Sequence, residues 1–212
     1  MDVFEKGEKT TVPSHQPGSD FGIDLEERKT VPIKLIYPLV YDQLEEFHQY
    51  IEQNEDRGWI CRVKSGRASP IMFVKKKDGK LTLCANYQAR NKVTEKDGHP
   101  LSLISEALDR PGGAKYFTKP DIEDFYHNMR IRERDQWKTT FSTKLGTNEY
   151  LLMPFGLCNA PAAFQPWINE VFMEYIDMYC IIYLYQYSYI QIPYNNIEET
   201  SAIFSKEYEA WR

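Results

Sequence analysis

With 212 residues, 42% of them hydrophobic and 14% aromatic, the chain can fill one ordinary core, in a domain of up to two lobes, and is too apolar to be disordered. A net charge of −5 excludes the overall basic signature of a nucleic-acid binder. Four widely spaced cysteines without a C-x-x-C pair, a polar stretch from Met1 to Ser19 and no long apolar run argue against a zinc site, a disulfide framework, a signal peptide or a membrane span.

In chain order, residues 1–30 are charged and irregular and read as a connector arm. Between Arg62 and Lys80 lie Arg62, Lys64, Arg67, Lys75, Lys76, Lys77 and Lys80 against Asp78 alone, which composition by itself makes a solvated face. From Tyr41 the spacing predicts a helix, with Leu44, Phe47, His48 and Ile51 on one face and Gly58 as its stop. His48 on that face reads as a packed core-edge histidine. "SPIMFVKKKDGKLTLCANY" predicts two strands joined at Asp78-Gly79, a strong hairpin signal. "LSLISEALDR" predicts a short helix closed by Pro111-Gly112-Gly113.

"AKYFTKPDIEDFYHNMRI" begins as a strand, and "QWKTTFSTKLGTNEYLLM" predicts a hairpin around Gly146. After Gly156 the period becomes helical. Phe164, Trp167, Ile168, Val171, Phe172, Tyr175 and Ile176 form an apolar stripe, with Asn159 as N-cap and Pro161 in the first turn. "CIIYLYQYSYI", Cys180 to Ile190, predicts a tight hairpin whose tip carries Tyr185 and Gln186. Strands, helices and hairpins mixed in this way predict an α+β sheet with helices on one face.

Chemistry has one candidate seat. Asp121, Glu123 and Asp124 follow the strand ending "YFTK"; in a strand Asp121 and Glu123 share a face, with Asp124 opposite. Carboxylates at a strand end suit hard cations, and a solvated loop is the plain alternative. A second acid pair on a neighbouring strand would strengthen the metal reading. The hairpin placed to supply it, "YLYQ", has none.

"ASPIMFVKKKDGKLTLCANYQARNKVTEKDGHPLSLI", "GAKYFTKPDIEDFYHNMRI", "QWKTTFSTKLGTNEYLLMPFGLCNAPAAFQ" and "IIYLYQ" resemble, block after block and in order, the reverse transcriptase of gypsy-type LTR retrotransposons, from about Val12 to about Glu199. The resemblance implies an α+β right-hand polymerase, fingers and palm interleaved over residues 31–200, with an antiparallel palm sheet backed by helices. It implies in-line nucleotidyl transfer with two Mg²⁺ or Mn²⁺ ions held by three aspartates, and RNA or DNA template-primer and dNTPs as partners. Asp121 matches the first aspartate and Ile122 offers its backbone carbonyl to the metal. Glu123, Asp124, Phe125 and Tyr126 line the dNTP, the Tyr126 ring falling where the family excludes a ribose 2′-OH. Lys76 matches a lysine on the triphosphate, and Phe155 and Gly156 open the segment that packs on the nucleotide. Arg62, Lys64, Arg67, Lys75, Lys77 and Lys80 become contacts to template and phosphates, which reverses the compositional reading of that run.

The same resemblance marks departures. Tyr185 and Gln186 stand where the family has two aspartates. A tyrosine with a pKa near 10 stays neutral and a glutamine carries no charge, so neither replaces a carboxylate. Gln88 stands in place of an arginine to the triphosphate, and Asn86 in place of an aspartate. Pro120 would remove a donor from a sheet centre, and Pro166 falls inside a helix. Residues 201–212 read as a truncated tail, and thumb, RNase H, integrase and protease are expected to be absent. Three expectations follow: a polymerase domain by descent, catalytically impaired; a non-catalytic nucleic-acid-binding module; or an unstable translated remnant. The setting expected is intracellular, cytoplasmic or nuclear, without membrane, and an intact partner subunit is an open question.

Overall fold

The structure is a computed structural model that describes residues 12, 13, 15, 18–33, 36–75, 81–98, 117–118, 125–174, 176, 181–185 and 187–193. Two compact units divide the chain: a larger one of Lys9–Lys96 and Tyr126–Ala160, and a smaller one of Met1–Glu8, Asp97–Phe125 and Pro161–Arg212. The strands among the described residues are β1 (Ile60–Val63), β2 (Ser69–Lys75), β3 (Leu81–Ala85), β4 (Phe117–Thr118), β5 (Phe141–Thr143), β6 (Gly146–Tyr150), β7 (Ile181–Tyr185) and β8 (Tyr187–Pro193). The helices are α1 (Tyr41–Asp56), α2 (Gln88–Asn91), α3 (Glu133–Gln136) and α4 (Ala160–Val171), with 3₁₀ turns at Phe125–Asn128 and Trp137–Thr139.

The larger unit is built on a five-stranded sheet of order β1-β6-β5-β2-β3. Its pairs are antiparallel except β2 with β5. Two of the three hairpins read from the sequence are present in this unit. Lys75 pairs with Leu81 across β2 and β3, and the residues between them, Lys76 to Lys80 with the predicted Asp78-Gly79 turn, lie outside the described residues. Thr143 pairs with Gly146 across β5 and β6, where Gly146 adopts φ +132°, a conformation that glycine alone takes without strain.

The helix predicted from Tyr41 is α1, and Gly58 at φ +69° follows its C-cap, donating to the Glu55 carbonyl at 3.0 Å. Phe47 and Ile51 turn inward with 2% and 7% exposure, and burying a phenylalanine of this kind contributes about 2 to 3 kcal/mol. His48 is exposed, which corrects the expectation of a core-edge histidine. One residue along a helix rotates a side chain by about 100°, enough to carry it off the Phe47–Ile51–Asn54 face.

Residues 18–30 of the segment read as a connector arm are stitched into this unit. Phe21, Ile23 and Val31 are buried. The Phe21 amide donates to the Arg130 carbonyl at 2.7 Å and the Glu26 amide to the Val93 carbonyl at 2.9 Å. Asp135, 1% exposed, accepts from the Ile23 amide at 3.2 Å and from the Lys138 ammonium at 2.6 Å. A buried carboxylate with such partners ties the arm to α3.

The smaller unit holds the antiparallel sheet β4-β8-β7 and α4 after its first residue. Phe164 and Ile168 are fully buried, and Trp167, Val171 and Phe172 nearly so, as the stripe requires. The helix ends at Val171, short of Ile176, although the Phe172 amide still reaches the Ile168 carbonyl at 3.2 Å. Pro161 sits in its first turn and Pro166 in its interior. Asn159, immediately before it, donates its side-chain amide to the Glu95 carbonyl at 2.7 Å. The helix predicted over "LSLISEALDR" and the strand position of Pro120 lie outside the described residues.

Candidate nucleotide and metal site

In the smaller unit the hairpin predicted from Cys180 to Ile190 is formed by β7 and β8. Tyr185 pairs with Tyr187, so Tyr185 is the last residue of β7 and a single position separates the strands. β8 runs between β7 and β4, with Phe117 opposite Pro193 and Thr118 opposite Ile192. Passing from Phe117 to Thr118 therefore moves along β8 toward the end that carries Tyr185. The strand that precedes Asp121 is thus a neighbour of the hairpin in one sheet, two strands from β7. Asp121, Ile122, Glu123, Asp124 and Gln186 themselves lie outside the described residues, as do Lys76, Lys77 and Lys80. Among the described residues no group of three or more histidines, cysteines or carboxylates is gathered to hold a metal ion.

In the larger unit two of the sequence-identified residues, Tyr126 and Phe155, do meet. Tyr126, half-buried, lies edge-on to Phe155 with ring centroids 5.0 Å apart. Burial pushes the Tyr126 phenol up from its ordinary pKa, so it is neutral at physiological pH. Phe155 is 54% exposed and its edge also meets His127, whose ring stacks on the buried Trp59 at 5.0 Å. The half-exposed Phe155 ring is thereby held by neighbouring rings. Gly156 follows at φ +95°, and a Cβ there would sit 3.5 Å from the Ala85 carbonyl oxygen. Phe125 opens the 3₁₀ turn that leads to Tyr126.

Sequence reasoning passed over Asn91, which holds this loop, and Tyr37, which holds Asn86. The Asn91 side-chain amide donates to the Gly156 carbonyl at 2.8 Å, and its oxygen accepts from the Cys158 amide at 3.2 Å. Tyr37 accepts from the Asn86 side-chain amide at 3.3 Å, while the Asn86 oxygen accepts from the Gln88 backbone amide at 3.1 Å. Gln88 is exposed at the start of α2. No periodicity marks Asn91 or Tyr37, because both act through contacts distant in sequence.

The basic run is only partly a free face. Arg62, Lys64, Arg67 and Lys75 are exposed. Arg67, however, donates to the Val31 carbonyl at 2.7 Å and to the Thr30 hydroxyl at 3.1 Å, holding the chain's own arm. Arg62 lies 3.9 Å from Glu55 and lines an open groove of about 290 Å³ shared with Glu52, Glu55 and Asp56. Those carboxylates oppose a phosphate there, which leaves Lys64 and Lys75 as the described cations best suited to one.

Comparison with known proteins accords with this architecture. Residues 74–188 match the family model described as reverse transcriptase (RNA-dependent DNA polymerase). The Transposon Tf2-3 and Tf2-7 polyproteins of Schizosaccharomyces pombe are 33% identical over 184 residues, 86% of this chain. The chain spans 14% of the length of those relatives. A foamy viral protease-reverse transcriptase solved in complex with an RNA/DNA hybrid superposes with a TM-score of 0.73 at 19% identity, over 88% of this chain and 25% of that one. The prototype foamy virus protease-reverse transcriptase CSH mutant gives the same TM-score at 18% identity, over 89% and 25%. No helix among the described residues is long and apolar enough to cross a membrane.

Proposed function

The chain belongs to the reverse transcriptase family, in its retrotransposon polyprotein branch, and from that premise we propose that it is a fingers and palm region, interleaved over residues 31–200, that descends from an RNA-directed DNA polymerase and is impaired in catalysis. Template-primer and dNTPs are the partners this reading implies. The observation that carries it is the end of β7, where a tyrosine and then a glutamine occupy the tip positions that the family gives to aspartates.

Hard divalent cations bind carboxylate oxygens, and a two-metal site needs several negative ligands to offset four positive charges. A neutral phenol and an amide at the tip leave Asp121 without those companions, so the donor set does not fit a pair of Mg²⁺ or Mn²⁺ ions. Gln88 in place of a guanidinium weakens triphosphate binding in the same direction, since an amide supplies neither charge nor a bidentate fork. What the chain keeps is the aromatic floor of Tyr126 and Phe155 beside Gly156.

Primer extension on an RNA template with Mg²⁺ or Mn²⁺ tests the proposal, comparing the chain with its Tyr185→Asp, Gln186→Asp double variant. No extension by the chain and extension by the double variant is the expected result. Extension by the chain as it stands would refute impairment. Exposed Lys64 and Lys75 favour a second reading, nucleic-acid binding without chemistry. Silence from both proteins, with RNA/DNA hybrid binding that weakens linearly in log–log plots as salt rises and ignores metal, would favour it.

A further inference from the structure

Arg90 is 1% exposed, the largest fully buried side chain among the described residues. Its Nε and Nη1 have no hydrogen-bond partner there, and Nη2 reaches the Thr140 carbonyl only at 3.5 Å. The guanidinium lies over the buried Tyr87 ring at 5.0 Å, a contact that offsets part of the cost of removing it from water. No carboxylate pairs with it among the described residues. Burial lowers its pKa, while the Tyr87 phenol raises it by charge and by hydrogen bonding and so offsets part of that cost. A guanidinium this basic keeps its proton, so the burial cost falls on the fold.

The position matters because α2 is a single turn, and that turn fastens the candidate nucleotide loop. Asn91, the next residue, holds both the Gly156 carbonyl and the Cys158 amide. The Asn91 amide donates in turn to the Tyr87 carbonyl at 2.8 Å, and the Val93 amide to the Arg90 carbonyl at 2.9 Å. Releasing Arg90 to water would require these bonds to open together, since all lie within one turn of chain.

We propose that Arg90 is a built-in weak point that drives local opening of α2 and, through Asn91, unlatches the Gly156–Cys158 loop from that turn. Local opening is favoured where an unfavourable burial is relieved by it. The loop that would floor a nucleotide is then held less firmly than its hydrogen bonds suggest. This inference concerns the fold and requires no catalytic activity, so failure of the primer-extension reading leaves it standing, and the reverse.

Thermal unfolding and amide hydrogen exchange on the full chain test it with Arg90→Leu, Arg90→Met and the charge-retaining Arg90→Lys. Leucine or methionine should raise Tm by about 4 °C or more and slow exchange of the Cys158 amide by about tenfold or more, whereas lysine should give neither. Methionine is the second probe because its flexible chain follows the arginine stem if leucine fails to pack. Failure of both apolar variants to raise Tm, loss of folding in both included, would overturn the proposal. So would a higher Tm with Cys158 exchange unchanged, because the latch would then not be coupled to Arg90.

Discussion

Gly156 shows how a single position joins backbone conformation to the site. Its φ of +95° is open to glycine at no steric cost, and its carbonyl is the acceptor that α2 holds. A Cβ would make only ordinary contacts at 3.5 and 3.6 Å, so the penalty of a side chain comes from the backbone and not from collision. Gly156→Ala should destabilise the chain by about 1 to 2 kcal/mol in urea denaturation. Gly66→Ala is the matched control, since nothing lies within 4 Å of a Cβ there and it should shift the midpoint by under about 0.5 kcal/mol. At this scale the sequence was informative where identity alone decides chemistry: Tyr185 and Gln186 cannot be carboxylates in any fold. It was uninformative about Asn91, Tyr37 and Arg90, whose roles depend on what other segments bring against them. Composition made Arg67 one more cation of a basic run, and the structure turns it back onto Thr30 and Val31.

Among the elements, α4 carries the clearest conflict between local preference and packing. Pro166 sits within its twelve residues, where it can donate no hydrogen bond to the Ala162 carbonyl and its ring crowds that carbonyl. The helix persists because Phe164, Ile168 and Trp167 are buried along it. Pro166→Ala should therefore raise stability, by about 1 to 3 kcal/mol in the same denaturation measurement. No change would mean that the helix has already adjusted around the ring. Hairpins were legible because each combines a two-residue period with turn residues of restricted conformation, as at Gly146. The end of α4 was not, because Phe172 and Ile176 keep the three- and four-residue spacing past the point where the helix stops. The period of a stripe reports burial, and burial continues into the turn that follows.

For the whole molecule, the buried phenols set an alkaline limit on stability. Tyr87 and Tyr150 are fully enclosed, and burial raises both pKa values above 10, with the neighbouring Tyr50 adding to the rise at Tyr150. Cys61 is pushed up to about 11, by burial first and then by Glu149. In the unfolded chain tyrosine ionises near pH 10 and cysteine near 8.5 to 9. The raised folded values stabilise the native state fully below the unfolded ones, and that contribution is lost as pH rises toward the folded ones. The denaturation midpoint should hold steady from pH 7 to about 8.5 and fall between about 9 and 11. A midpoint flat through pH 11 would show that these groups titrate alike in both states.

The sequence by itself determined the family, the order of its blocks, the β2–β3 and β5–β6 hairpins, the hairpin at β7 and β8, and that residues 185 and 186 are a tyrosine and a glutamine. These follow from residue identity and short-range period, which a linear reading contains. Only the tertiary structure decided that β4 lies beside β8 in the sheet that carries Tyr185, that the amino-terminal arm is locked to Asp135, and that His48 faces solvent. It alone placed Arg90 inside the fold without a carboxylate partner among the described residues. Each of these depends on the free energy of a side chain's surroundings, and those surroundings are assembled from segments far apart in the chain.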